Sequence, residues 1–467
     1  MTAEFARDVL TRLPLAEAVL SLWRWVADPL FLLSVFARHR GAGYEKELSF
    51  GAVVQLIAEA LLEHQGSGRK SFERAREQGV LTASVQAVYQ KLGRMPLGLS
   101  EAWLAESTAR VRPVYPLPAE LPLPLSLQGL EVLVVDGKAI KRVAKRLKPL
   151  QGRKGGVLGG KALVALELRR GLVVAMATHP DGETNDAKLV PALLPQVREQ
   201  VAGERLWVAD RQFGDLTQTA AFATGADHFL VRYHPKTHFC PDKTRPAQSG
   251  QDTHGREWRE DWGWLGCERA AHRRFVRRMT LLRPGEETII LLTDLLDAAQ
   301  YPATDLLELY LARWSIERVF QQITEVFHLQ TLIGTTPQGT VFQLAFCLML
   351  YNLVQVVRAY VATAQARPTA TISTELLFDD VHRQLVAFTE LVPPALVEPL
   401  FAPRPSAECV REQLTRLLTP VWTPRWLKAP AKKRKMPPPR TPLRGNHTSV
   451  YRLVTAYHKQ RVNHSPQ

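Results

Sequence analysis

Two aspartates and a glutamate carry the chemistry that this sequence suggests. Asp136 closes the apolar run Glu131-Val-Leu-Val-Val, and Asp210 closes Leu206-Trp-Val-Ala. A strand-end aspartate is commonly a turn former, so neither residue alone points to catalysis. The pair says more. In the element order set out below, a first and a fourth strand lie side by side, so both carboxylates converge on one edge of a sheet. Two carboxylates that close repel unless a divalent cation lies between them, and Mg²⁺ prefers such oxygen ligands. A third acid, Glu317, falls in a helical stretch. There Tyr310, Arg313, Glu317 and Thr324 occupy positions i, i+3, i+7 and i+14, on one face, with Trp314 and Arg318 beside them. An ordinary ion-paired surface shares this spacing. Tyr and Arg on the face of an acid can instead supply one metal ligand and several donors to phosphate oxygens.

The charge around these acids points the same way. The chain has 467 residues with 60 Lys and Arg against 45 Asp and Glu, a net charge of +15. An excess of that size suits a polyanionic partner. Between Asp136 and Glu167 there are basic residues and no acid: Lys138, Lys141, Arg142, Lys145, Arg146, Lys148, Arg153, Lys154 and Lys161. An exposed hairpin would read alike, but a basic strip starting after a strand-end carboxylate suits a nuclease. After Glu412 no acid follows, and much of the Pro-rich, Lys- and Arg-rich tail is expected to stay extended or mobile; a solubilising tail would read alike, but one that binds phosphates when DNA is present fits the lack of acids better.

The elements that must position these residues follow from periodicity. Residues 1–115 read as helices, with apolar spacing in 15–35, 51–62 and 80–92. Ser71–Leu92 reads as helix, turn at Gly79 and helix, with Thr82 or Ser84 as cap, a pattern compatible with a DNA-binding helix-turn-helix. A Pro-rich joint at 116–130 separates this stretch from strands at 131–136, 161–167 and 172–177. A helix at 186–201, a strand ending at Asp210, a helix at 212–223 and a strand at 228–233 come next. That order is the layout of a ribonuclease-H-like α/β domain. Residues 236–285 interrupt it as an inserted β-rich subdomain containing Trp258, Trp262 and Trp264. The core resumes at 286–360 with a single long amphipathic helix from Thr304 to about Leu329. A helical region at 361–420 and the basic tail at 421–467 complete the expected division.

Several classes are excluded. With 46% apolar and 22% charged residues the chain is neither disordered nor fibrous. Its four cysteines lie far apart, which rules out a disulfide scaffold. His234, His238, Cys240 and Cys267 match no closed zinc spacing, and there is no phosphate-binding loop of the ATPase kind. The apolar stretch Val341–Val357 is broken by Gln343, Asn352 and Gln355 and reads as a buried helix, with no membrane partner expected. The N-terminus lacks a signal-peptide pattern. A cytoplasmic protein, nucleoid-associated when bound to DNA, is the expectation.

Three segments carry a resemblance. Asp136-Gly, Val208-Ala-Asp210-Arg211-Gln-Phe213 and Leu309-Tyr-Leu-Ala-Arg-Trp-Ser-Ile-Glu317 together resemble a DDE transposase of bacterial insertion sequences, the insertion-sequence-four type. His179-Pro-Asp-Gly-Glu-Thr-Asn-Asp186 is similar to that family's segment before its first long helix. The signature's Lys falls on Thr324, and Gln212 stands where Gly is frequent after Asp-Arg. The resemblance implies that Asp136, Asp210 and Glu317 hold two Mg²⁺ or Mn²⁺ ions for strand cleavage and transfer. The helix face, the basic strip and Asp210-Arg211 then offer phosphate contacts from Tyr310, Arg313, Arg318, Lys138, Lys141, Arg142 and Arg211. Trp258, Trp262 and Trp264 become candidates for holding a flipped base, or are core residues of the insertion. Partners would be double-stranded DNA, as terminal inverted repeats and target, and a second copy in a nucleoprotein complex. Two other readings stay open: a transposase-derived DNA-binding regulator without catalysis, and a nuclease that cuts without joining.

Overall fold

Amide-capping side chains and prolines punctuate the first quarter of the chain. The computed structural model folds it into α1 (Ala3–Thr11), α2 (Pro14–Val26), α3 (Pro29–His39), α4 (Phe50–Leu62), α5 (Gly68–Glu77), α6 (Val85–Gly93) and α7 (Leu97–Val111). The structure describes residues 2–43, 45, 47–116, 123–141, 143–145, 147–152, 156–283, 285–397, 400–401, 406–429 and 448–463. Thr2, Asp28, Ser49, Ser67 and Ser84 each accept a hydrogen bond from an amide three residues on, satisfying a donor that the first helical turn leaves free. Pro14 and Pro29 start α2 and α3, where a missing N–H costs nothing. Between α5 and α6 the chain turns at Gly79, whose φ of +72° suits glycine.

The strands are β1 (Glu131–Ala139), β2 (Val157–Leu158), β3 (Lys161–Glu167), β4 (Leu172–His179), β5 (Arg205–Ala209), β6 (His228–Arg232), β7 (Phe239–Pro241), β8 (Gln248–Gln251), β9 (Glu257–Leu265), β10 (Arg274–Leu281) and β11 (Ile289–Thr293), with β12 (Thr448–Ser449) near the end. One large sheet runs in the order β4-β3-β1-β5-β6-β11-β10-β9-β7, with β8 beside β9. β1 is antiparallel to β3 and parallel to β5, and β5 is parallel to β6. The central strands are apolar on both faces because both faces are covered. Val132, Val134, Val164 and Val208 face one core with α7 and α12 (Pro337–Ala364); Leu133, Val135, Leu163 and Trp207 face another with α8 (Val190–Gln200) and α9 (Leu216–Phe222).

The strands between residues 236 and 285 extend the main sheet, with β9 and β10 joining it through β11. A buried ion pair, Glu260 with Arg277, lies across β9 and β10, and Arg277 Nη1 also donates to the Tyr301 carbonyl at 2.6 Å. The expected single helix over 304–329 is two, α10 (Ala303–Ala312) and α11 (Trp314–Glu325), because the Arg313 amide bonds to the Tyr310 carbonyl and tightens the turn there. The tail is not extended throughout. Residues 430–447 lie outside the described residues, but β12 pairs with β2, and α16 (Val450–Asn463) seats Val450 and Leu453 on Val143, Leu150 and Val157. Arg452 is ion-paired to Asp181 and Glu183.

The helices α13 (Thr374–Leu391) and α15 (Ala407–Leu418) pack around α12 and α2, and α14 (Pro394–Val397) lies against α1. α12 is long and apolar enough to cross a membrane, yet its apolar stretch is buried inside the protein. Its polar residues are spoken for. Asn352 accepts from the Val173 amide at 2.9 Å and donates to the Val173 carbonyl at 2.8 Å, docking the helix on β4. Gln343 accepts from the Ile333 amide and donates to the Thr331 carbonyl.

Candidate functional site

The parallel register of β1 and β5 sets Val135 opposite Ala209, so the next residues, Asp136 and Asp210, are neighbours where that pairing stops; Asp136 does not close its strand as expected, because β1 runs on to Ala139 against β3. Asp136 Oδ1 accepts from the Gly137 amide at 2.8 Å. Tyr310, buried on α10, donates its hydroxyl to Asp210 Oδ1 at 3.4 Å. Arg313 sits at the break between α10 and α11, 5% exposed, and bridges the other two acids. Its Nη1 lies 3.9 Å from Asp136 Oδ2, and its Nη2 donates to Glu317 Oε1 at 3.5 Å. Glu317 closes the first turn of α11, where the helix dipole favours a carboxylate, and its side chain is 41% exposed.

Burial and crowding set the electrostatics. Desolvation pushes the Asp136 carboxyl up to about 6, with the Asp186 and Glu317 charges adding to the rise and the Gly137 amide and Arg313 opposing it. Burial likewise pushes the Tyr310 phenol up to about 12, keeping it a proton donor toward Asp210. An acid held that high is one that a divalent cation would relieve, and the donors are carboxylate oxygens, as a hard cation requires. Among the described residues no three His, Cys, Asp or Glu side chains are gathered closely enough to enclose an ion. The Arg313 guanidinium takes the position between Asp136 and Glu317.

A fourth acid reaches the site, and the sequence pattern did not assign it. Asp186 is 6% exposed, pairs through Oδ1 with Lys161 Nζ at 2.7 Å, and accepts from Gln212 Nε2 through Oδ2 at 2.9 Å. Its carboxylate packs so closely on Gly137 that a Cβ there would overlap it. The His179–Asp186 segment was the available signal, but nothing in its spacing ties it to the strand ends.

The expected phosphate donors fare differently. Lys138 is turned inward: its Nζ donates to Thr324 Oγ1 at 3.3 Å and lies 5.4 Å from the Phe320 ring centroid, and burial lowers its pKa. Lys141 and Arg318 are exposed. Arg142 lies outside the described residues. Arg211 is ion-paired at 2.6 Å with Glu287, which also holds Arg232. Of the three tryptophans, Trp262 is a core residue, 2% exposed, donating to the Leu296 carbonyl. Trp258 is half-buried against Gly250. Trp264 is 39% exposed, with Arg273 stacked 4.2 Å from its ring centroid. Cys240 and Cys267 are free thiols at the surface.

Residues 127–353 match the family model described as the transposase DDE domain, a stretch containing Asp136, Asp186, Asp210 and Glu317. None of the curated proteins matches the chain. Among solved structures, a piggyBac transposase synaptic complex with hairpin DNA aligns over 86% of this chain and 75% of that chain, at 10% identity and a TM-score of 0.37. That likeness is too loose to carry fold or function to this protein.

Proposed function

We propose, from the match of residues 127–353 to the transposase DDE domain, that this protein is a DNA transposase with a ribonuclease-H-like catalytic core. On this reading it binds the terminal inverted repeats of a mobile element, cuts them, and joins the ends to target DNA. The observation that carries the proposal is the convergence of Asp136 and Asp210 on neighbouring strands where the β1–β5 pairing stops, with Glu317 linked to Asp136 through Arg313. A transposase of the insertion-sequence-four type, acting as a homodimer, is the specific form proposed.

Asp136, Asp210 and Glu317 would hold two divalent ions, Mg²⁺ or Mn²⁺. When bound, such ions lower the pKa of water or a 3′-hydroxyl and stabilise the departing oxygen. Tyr310 fixes one oxygen of Asp210, leaving the other free to face the site. Arg313 balances Asp136 and Glu317 until DNA arrives, and then offers its donors to a phosphate. Lys141 and Arg318, both exposed, supply phosphate contacts at the rim. Trp264 is the accessible tryptophan among the three candidates for stacking on an extruded base. The helices of residues 1–115 are proposed to read the element's ends, through α5 and α6.

The test is cleavage of DNA carrying the element's own ends with Mg²⁺ or Mn²⁺. Asp136→Ala, Asp210→Ala and Glu317→Ala are each expected to abolish strand cleavage while leaving end binding intact, because the ligands act as one unit. Glu308→Ala, on an exposed position of α10, is the control. If the wild type binds its ends tightly and never cuts, Arg313 is a permanent substitute for the cation and the regulator reading replaces this one.

A further inference from the structure

We propose that Asp186 is a positioning residue that braces β1 against the turn that follows β5, setting the separation of the Asp136 and Asp210 carboxylates. The inference rests on the reading of those two aspartates as the metal-binding pair. Its basis is that one buried side chain touches the chain next to both. On the β1 side the Asp186 carboxylate lies on the Cα of Gly137, in space that any larger residue would fill. On the β5 side it accepts from Gln212, two residues after Asp210. From β3 it receives Lys161, which sits opposite Ala139 in the β1–β3 register.

These contacts explain why an acid stands there and why it acts as a brace rather than a ligand. After their last paired residues β1 and β5 diverge, the latter into a short 3₁₀ turn at Arg211–Phe213, so the ladder no longer holds the ends together. An apolar side chain could fill the space against Gly137 but could not hold Gln212. A carboxylate does both, and its ion pair with Lys161 offsets the cost of burying it. Both oxygens are engaged, one by Lys161 and one by Gln212. The requirement for glycine at 137 follows from the same packing.

The experiment measures Mn²⁺ binding by electron paramagnetic resonance alongside cleavage and end binding, on the full chain. Asp186→Ala is expected to lower both Mn²⁺ affinity and the cleavage rate about 10–100-fold, as loss of a side chain that orients metal ligands does. End binding should be unchanged. Asp186→Asn keeps the shape and the acceptor for Gln212 and should recover most of the loss. Gln212→Ala, at an exposed position where folding is not at stake, should reproduce part of it. Wild-type affinity and rate in Asp186→Ala and Gln212→Ala would overturn the brace. So would complete loss of a bound ion in Asp186→Ala without recovery in Asp186→Asn, which would make Asp186 a ligand. Wild type and Asp136→Ala run in parallel separate the two readings. A wild type that neither binds Mn²⁺ nor cuts removes the proposed function and the brace with it. A wild type that does both, with Asp186 variants unaffected, removes the brace alone.

Discussion

Replacing Asp136 by Asn should stabilise the protein at neutral pH in the absence of divalent cations. The side chain is 18% exposed, and burial beside Asp186 and Glu317 moves its carboxyl from the ordinary 3.8 to about 6. An acid whose folded-state pKa is raised binds its proton more tightly when folded. Its ionised form therefore costs stability, and the cost grows as pH rises from about 4 through about 6. Each pH unit between the two values is worth about 1.36 kcal/mol, so above pH 7 the folded state gives up roughly 3 kcal/mol. Asparagine keeps the acceptor for the Gly137 amide and carries no charge to desolvate, so Asp136→Asn should recover much of that amount. Urea unfolding in EDTA at pH 4 and pH 8 reads it directly. The variant and the wild type should match at pH 4, and the variant should be more stable at pH 8. Added Mg²⁺ should then stabilise the wild type and leave the variant unmoved. Equal stability at pH 8 would refute the reasoning, because Asp136 would then be no more strained than a surface carboxylate.

Two further outcomes follow from the packing around this site. Thr324→Lys does not simply add a phosphate contact, because Lys138 Nζ already lies 3.3 Å from Thr324 Oγ1; two ammonium groups about 4 Å apart repel by roughly 4 kcal/mol at an effective dielectric of 20. The single variant should lose thermal stability, and the exchange Thr324→Lys with Lys138→Ala should restore it in a melting experiment. Truncation after Leu427 should flatten the salt dependence of DNA binding by about 0.9 in log–log slope for each phosphate the shortened chain no longer neutralises. It should also lower the melting temperature, since it uncovers Val143, Leu150 and Val157; an unchanged melting temperature would mean that α16 adds no packing energy.

Local elements, and the meeting of two of the acids, are already specified in the order of the residues. The run Val132–Val135 and the run Leu206–Ala209 are apolar without alternation, which only a strand covered on both faces tolerates, and both are found as strands with those residues buried. The antiparallel β1, β3 and β4 followed by a helix and β5 leaves the place beside β1 for β5, so Asp136 and Asp210 become neighbours. Ser84 could be read as a cap because its hydroxyl needs only an amide three residues away. Contacts between residues distant along the chain belong instead to the folded molecule. No periodicity reveals that Asp186 meets Gly137 and Gln212, that Lys138 turns inward to Thr324, or that Arg211 is taken by Glu287. The first helices likewise do not enclose a core of their own: Trp23, Phe50 and Trp103 pack on Phe342 and Phe346 of α12. Sequence pattern records which face of an element is apolar and when its hydrogen-bond period changes, both local properties. Which faces cover one another, and which charges pair, depends on how all the elements close together, and only the folded chain settles that.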